Sequence, residues 1–61
     1  MQKYDVTLGW VGEVAQIVTV PTTLGAEAAE RRARFAIAAR HPHRDLDRLI
    51  VVSVEALPEG E

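Results

Sequence analysis

The residues best suited to chemistry lie within one short stretch, His41 to Asp47. It places His41, His43, Asp45 and Asp47 at alternate positions. Imidazole and carboxylate groups are among the ligands of protein zinc sites, so a metal site is one interpretation. The other is a solvated loop, in which Asp45 caps a short turn or pairs with Arg48. We favour the loop and predict no metal, no cofactor and no catalytic residues.

Two further observations argue against an enzyme. The stretch resembles the His-x-His-x-Asp-His signature of the metallo-β-lactamase superfamily, but Leu46 stands in place of the last histidine. That superfamily needs a much longer domain with ligands from distant strands, so the resemblance implies no metal site here. Ser53 lies inside a predicted strand with no histidine near it in sequence, which leaves no nucleophile–base pair. We therefore expect a non-enzymatic protein.

Arginine supplies almost all of the positive charge, and it is concentrated in the second half of the chain. Guanidinium groups bind phosphate in a bidentate manner, so a stripe of Arg31, Arg34 and Arg44 would suit a nucleic acid. Glu27 and Glu30 lie on the same helical face, however, and the formal net charge is −2. We favour an ordinary charged helix surface and keep a small nucleic-acid-binding protein as the alternative.

The elements that must position these residues follow from a change of hydrophobic period. Residues 3–20 alternate in steps of two, residues 23–40 form an alanine- and arginine-rich helical run, and residues 48–57 return to a strand pattern. This predicts an α+β domain of ββαβ order, a three-stranded, mainly antiparallel sheet with one helix packed on one face. We expect sheet order 2-1-3 and a right-handed crossover to the last strand. Residues 1–57 would form the single domain and residues 58–61 a flexible acidic tail.

Proline and glycine mark the predicted ends of these elements. Pro21 ends the second strand because it cannot donate to the sheet ladder. Thr23 or Gly25 can cap the helix that follows. Pro42 disfavours helix in the residue before it, so the helix should end near Arg40.

The predicted core depends on the register of the first hairpin. A two-residue Gly12-Glu13 turn and a four-residue loop over residues 9–12 are both compatible with the sequence. The tight turn makes Trp10 a core residue, which we favour, whereas the loop exposes it at the hairpin tip. Both registers give the same core apart from that residue. It comprises Tyr4, Val6, Leu8, Ala15, Ile17, Ala29, Ala33, Ala36, Ile37, Ile50, Val52 and Val54.

The second face of the sheet is the predicted binding surface. One helix cannot cover both faces, and the uncovered face should be rich in valine rather than in charged residues. A chain of 61 residues without cysteine lacks disulfides to offset its small core, so a partner surface is the expected remedy. We predict a homodimer, through sheet faces or paired edges, or a protein partner. The predicted interaction residues are Trp10, Val11, Val14, Val18, Val20 and Val51.

The order of the elements also carries a resemblance to a group of proteins. Two strands, an Ala/Glu/Arg helix and a Val-rich strand ending in Glu55-Ala56-Leu57 are similar to many small orphan proteins of actinobacterial phages. The resemblance implies a phage-encoded protein that acts by binding a host or phage protein. The chain has no apolar stretch of membrane-spanning length, so we expect no membrane association and a cytoplasmic location, in the host cytoplasm if phage-encoded.

Overall fold

Three strands and one helix follow one another in the predicted order. A computed structural model describes residues 2–58. Strand β1 spans Gln2–Trp10, β2 spans Gln16–Thr22, helix α1 spans Ala26–Arg40 and β3 spans Leu49–Ala56. A short 3-10 turn, Leu46–Arg48, precedes β3. The predicted ββαβ fold of the α+β class is therefore confirmed.

The sheet has the order β2-β1-β3, as expected. The central strand β1 pairs antiparallel with both neighbours. The two outer strands therefore run in the same direction, and α1 forms the crossover between them. The hairpin turn, the C-terminal end of α1 and the start of β3 lie at one end of the molecule, and the N-terminal end of α1 lies at the other.

Local signals set both ends of α1. Gly25 is the N-cap with φ 93°, a conformation that glycine adopts without strain. Just before it, the Thr22 hydroxyl accepts a hydrogen bond from the Leu24 N–H at 3.1 Å, which turns the chain away from the sheet. At the other end, the His41 N–H closes the last turn on the Ile37 carbonyl at 3.0 Å. The helix ends at Arg40, as Pro42 predicts.

The core lies between α1 and one face of the sheet. Ala29 and Ala33 are fully buried, and their small side chains let the helix approach the strands closely. Val6, Leu8 and Ile37 are the largest fully buried side chains. The prediction for Val6, Leu8, Ala29, Ala33 and Ile37 is confirmed, and Tyr4, Ala36 and Val54 are half-buried.

The hairpin register differs by one residue from that of the two-residue turn and by three residues from that of the four-residue loop. Val6 faces Val18 and Thr7 faces Ile17, with a loop over residues 11–15 between the strands. Gly12 has φ 82° within this loop, and the Glu13 N–H donates to the Trp10 carbonyl at 3.1 Å. Because side chains alternate along a strand, a one-residue slip exchanges the two faces of β2.

The slip moves four β2 and loop residues to the opposite side of the sheet from that predicted. Val18 and Val20 pack against the helix, with Val20 only 5% exposed. Ile17 is 64% exposed, and Ala15 is exposed as well. The predictions that Ala15 and Ile17 are core residues and that Val18 and Val20 line the uncovered face are therefore wrong.

A register shift changes the faces of β3. Leu8 pairs with Val51 but Thr7 pairs with Ser53, which leaves Val52 as an extra residue in the ladder. Such a bulge interrupts strict alternation. As a result Leu49, Val51 and Val54 all pack toward the helix. The predictions that Ile50 and Val52 are core residues and that Val51 lies on the uncovered face are wrong.

The C-terminal end of the described chain remains attached to the sheet. The Leu57 N–H donates to the Lys3 carbonyl at 2.8 Å, just beyond the end of β3. The predicted flexible tail lies outside the described residues except for Pro58. Among residues 2–58, no helix has the length and apolar composition needed to cross a lipid bilayer.

Candidate interaction site

The sheet face opposite α1, called the open face here, has a large exposed apolar area. It includes Ile17 on β2, Ile50 and Val52 on β3, and Val11 in the adjoining hairpin loop. We call these four residues the apolar patch. Their exposed fractions range from 46% for Ile50 to 81% for Val11. Contiguous exposed apolar surface of this kind marks interaction sites in small proteins.

Gly9 lies beneath the hairpin loop on the open face. It pairs with Ile50, and its position on β1 lies between the two outer strands. A methyl group added at Gly9 would lie 3.1 Å from the Ala15 Cα, because the returning hairpin loop crosses closely over it. Val11, Ile50 and Val52 therefore line one shallow groove with Gly9, whereas Thr7 lies between Ile17 and β3.

The far end of the open face is polar and acidic. Asp5 pairs with Thr19 on one side and with Glu55 on the other, so the three residues form one row across the sheet. The Thr19 hydroxyl donates to Asp5 Oδ1 at 2.7 Å. We call these three residues the acidic row. The open face is thus divided along the strands into an apolar half and an acidic end.

A cleft of about 460 Å³ borders the apolar patch at the hairpin end. Arg44 forms one of its walls, with its guanidinium carbon 4.1 Å from the centre of the Trp10 ring. This distance is typical of a cation–π contact. Both terminal nitrogens of Arg44 donate to the Glu13 carboxylate, one of them at 2.8 Å. The cleft is lined by Trp10, Val11, Glu13, Arg44, Asp47, Arg48 and Ile50.

Trp10 connects the hairpin to the loop that follows α1. Its side chain is only 8% exposed, so of the two alternatives the core position is confirmed. The indole N–H donates to the Asp45 carbonyl at 2.8 Å. The His41 ring lies edge-on to the indole, with 5.5 Å between ring centres. Trp10 therefore supports the wall of the cleft through its contacts with Arg44 and Asp45, and it does not project from the hairpin tip.

Charges at the cleft are held in their ionised forms. The hydrogen bond from Arg44 lowers the pKa of the Glu13 carboxyl, and the nearby positive charge of Arg44 acts in the same direction. The same hydrogen bond raises the pKa of Arg44. These hydrogen bonds favour the ionised forms of both groups and join the hairpin loop to the 41–48 loop.

The predicted interaction residues fall into two groups. Val11 and Val14 are strongly exposed at the hairpin end, as expected. Trp10, Val18, Val20 and Val51 belong to the helix-covered side, where they form the core or pack against it. The sequence pattern missed Ile17, Ile50 and Val52, since only the observed register and bulge place them on the open face.

The arginines of the predicted nucleic-acid stripe make contacts within the fold. Arg34 lies 3.8 Å from Glu30 and donates to the Leu49 carbonyl at 3.3 Å. Arg44 is engaged by Glu13 and Trp10 as described above. Arg31 is exposed on α1. Two of the three guanidinium groups thus hold parts of the structure together.

The 41–47 stretch forms the polar loop that we favoured. Asp45 Oδ1 accepts a hydrogen bond from the Asp47 N–H at 2.9 Å and caps the 3-10 turn. Its other carboxylate oxygen lies 3.6 Å from Arg48 Nε. Within residues 2–58, no three histidine or carboxylate side chains are grouped so that they could hold a metal ion.

A second exposed apolar area lies on the helix side. Phe35 is 79% exposed on α1, and Leu46 is 41% exposed in the 3-10 turn. They border a shallow groove of about 410 Å³ whose other lining residues are Arg34, Ala38, Asp47 and Leu49. This area supplies a matched comparison for the apolar patch, since both expose large apolar side chains.

Comparisons with protein-family models, with curated proteins and with solved structures find no match for this chain.

Proposed function

We propose that this protein is a non-enzymatic protein-interaction module that binds through its open face, and that its first partner is a second copy of itself. The exposed apolar patch is the single observation that supports this most directly. If this chain is phage-encoded, as the sequence resemblance implies, a further host or phage protein would compete for the same face.

Burial of the apolar patch would stabilise the protein. Full burial of a Val or Ile side chain contributes roughly 1.5–3 kcal/mol. The four side chains of the patch are exposed by 46–81%, so an isolated chain leaves much of this stabilisation unused. A fold of 61 residues has a small core, which makes that contribution a sizeable part of its total stability. Association through the open face would recover it.

A second copy is a suitable partner because the apolar patch of one copy would face the apolar patch of the other. A two-fold interface is self-complementary, so each patch would cover the other without leaving a buried charge unpaired. At the edge of the patch, Glu13 pairs with Arg44, and Arg48 lies 3.6 Å from Asp45. No new partner charge is needed to bury the patch.

The chemistry of the ionisable groups supports a binding role more than a catalytic one. In the exposed Glu13–Arg44 pair, the hydrogen bond lowers the pKa of Glu13 and raises the pKa of Arg44. Both changes move the pKa further from neutrality, whereas a general acid or base needs a pKa near the working pH. The engagement of Arg34 and Arg44 within the fold likewise favours a protein partner over a nucleic acid.

Sedimentation of wild-type protein and two lysine variants tests the proposal. Val52→Lys places a charge in the apolar patch, whereas Phe35→Lys places one on the exposed outer side of α1. The two positions are similarly exposed, at 67% and 79%, so the variants are matched in their effect on the monomer. We expect a dimer at micromolar concentration for the wild type and Phe35→Lys, and a monomer for Val52→Lys.

Two results would contradict the proposal. One is a wild-type protein that remains monomeric at high concentration. The other is submicromolar binding of DNA or RNA at physiological salt that is lost in Arg31→Ala and Arg34→Ala. Binding of that kind should also weaken steeply as salt is raised, because phosphate contacts release counterions. It would favour the nucleic-acid alternative.

A further inference from the structure

The backbone of β2 faces β1 at every second residue and points out of the sheet at the residues between. One hydrogen bond at the start of β1 establishes which residues these are. The Lys3 carbonyl accepts from the Leu57 N–H at 2.8 Å, so the backbone groups of Lys3 point to the β3 side. Backbone direction alternates along an antiparallel strand, so Val6 points toward β2, where it pairs with Val18. Val18 therefore faces β1, and its neighbours in the chain point away from β1.

The residues of β2 that point out of the sheet are Ile17, Thr19 and Pro21. Pro21 has no N–H, and its carbonyl accepts from Arg32 at 3.4 Å, so the backbone at this end of the edge is satisfied. Ile17 and Thr19 each have one N–H and one C=O, and no hydrogen bond within residues 2–58 reaches these groups. β2 also contains no charged residue. A regular, uncharged edge of this kind is a template for pairing with another strand.

The outer edge of β3 is protected in ways that the edge of β2 is not. Leu49, its first residue, donates its N–H to the Leu46 carbonyl, and its own carbonyl accepts from Arg34. Further along, the extra residue Val52 interrupts the ladder. A bulge twists an edge strand and discourages pairing with a further strand. β2 is therefore the edge available for pairing.

A second copy of β2 can pair with all the open backbone groups in one register. About a two-fold axis perpendicular to the sheet, two β2 strands run antiparallel and contact each other through the same residues. When Val18 faces Val18 of the second copy, Ile17 of each copy faces Thr19 of the other. Residues paired in this way exchange both of their N–H···O=C hydrogen bonds. Every open N–H and C=O of one copy then has a partner on the other.

The neighbouring registers leave backbone groups without partners. An axis at Thr19 would place Ile17 opposite Pro21, which has no N–H to donate. An axis at Ile17 would place Thr19 opposite Ala15, which lies in the hairpin loop outside β2. Pro21 at one end of β2 and the hairpin loop at the other therefore select the register centred on Val18.

The side chain of Val18 supports the same register. It is half-buried on the helix side of the sheet, where it packs against the core. At the two-fold axis the two Val18 residues form a non-hydrogen-bonded pair, in which Cα atoms lie about 4.5 Å apart and side chains are close. Pairing would therefore cover the part of Val18 that the monomer leaves exposed.

We infer that two copies of this chain pair along β2, in the register centred on Val18, and form one continuous sheet of twice the width. This goes beyond the proposed function, because it uses the edge of the sheet and leaves the two open faces free, side by side on the same surface. The contact consists of backbone hydrogen bonds and one pair of valines, so it buries little apolar area. Pairing is therefore expected above the micromolar concentrations at which the open face is tested.

Single-cysteine variants test the pairing, since the chain has no cysteine of its own. Val18→Cys places two thiols opposite each other at the axis, with a Cα separation that a disulfide can span. Val54→Cys is the matched control, because Val54 is also half-buried on the helix side but lies on the other edge strand. Both variants also carry Val52→Lys, so that association of the open faces does not contribute. In a glutathione buffer at equilibrium, the linked fraction should be roughly 10-fold higher for Val18→Cys.

Amide hydrogen exchange in the linked Val18→Cys dimer reports the register. The N–H groups of Ile17 and Thr19 should exchange roughly 10-fold more slowly than in the reduced monomer, because each gains an acceptor on the other copy. The N–H groups of Val54 and Ala56 should exchange at the same rate in both forms. These two residues pair with β1 residues whose backbone points toward β2, so they mark the unpaired outer edge of β3.

Two results would overturn the edge pairing. One is equal disulfide linkage of Val18→Cys and Val54→Cys, and the other is unchanged exchange of Ile17 and Thr19 in the linked dimer. The proposed function is decided separately: a wild type that is monomeric at micromolar concentration removes it, while the cysteine variants still decide the edge pairing. Circular dichroism of the reduced variants establishes that each of them is folded.

Discussion

Replacing Ile37 by alanine should destabilise the fold more than almost any other single truncation. Ile37 is 1% exposed and packs in the core between α1 and the sheet. The change removes three carbon atoms, worth roughly 2.5 kcal/mol at about 0.8 kcal/mol per buried methylene. Ala29 and Ala33, its neighbours on the buried helix face, have side chains too short to fill the cavity. The total should therefore be about 3–4 kcal/mol, within the range for Ile→Ala in a core.

The assay is urea unfolding followed by the fluorescence of Trp10, the single tryptophan. A chain of this size has a stability of roughly 3–9 kcal/mol, so the loss should be about a third of the total or more. With a urea slope near 1 kcal/mol/M, the midpoint should fall by roughly 3 M. Phe35→Ala, two positions away but exposed, is the control and should leave the midpoint nearly unchanged. A midpoint for Ile37→Ala within error of the wild type would refute the core assignment.

Two further predictions concern the hairpin and its ion pair. In the monomer, Val20→Ala should cost roughly 1.5–3 kcal/mol and Ile17→Ala less than about 0.5 kcal/mol. Urea unfolding at a concentration where sedimentation shows one species measures both, and the reverse order would refute the observed register. Glu13 is expected to make stability depend on acid, since the hydrogen bond from Arg44 lowers its pKa from the ordinary 4.5. The stabilisation by this ion pair is present above pH 4.5 and is lost as the pH falls through the lowered pKa of Glu13. The melting temperature of Glu13→Gln should therefore fall less on acidification than that of the wild type.

The candidate site shows how far sequence reasoning reaches when it depends on strand register. Val6 and Leu8 were assigned correctly because β1 is regular and central. Ile17 and Val20 exchange faces, because the observed register is shifted by an odd number of residues from each of the two predicted turns. No local signal in Gly12-Glu13 distinguishes these turns. The register is determined by the packing of α1 on one face of β2, the face that carries Val18 and Val20.

The cleft beside Trp10 could not be predicted from the sequence for a related reason. It depends on the contacts of Glu13 with Arg44 and of Trp10 with Asp45, and each contact joins residues more than 30 positions apart along the chain. The sequence identified Arg44 as a charged loop residue and Trp10 as a core candidate. It gave no indication that one would lie against the other.

The sequence by itself determined the order of the elements, the ends of α1 and the side of β1 that forms the core. These properties depend on residues close together in the chain, through side-chain periodicity, proline and glycine. The tertiary structure alone decided the register of β2, the bulge at Val52 and hence the composition of the open face. Those properties depend on how the faces of separate elements pack against α1, and a shift of one residue is enough to exchange a buried face for a binding surface.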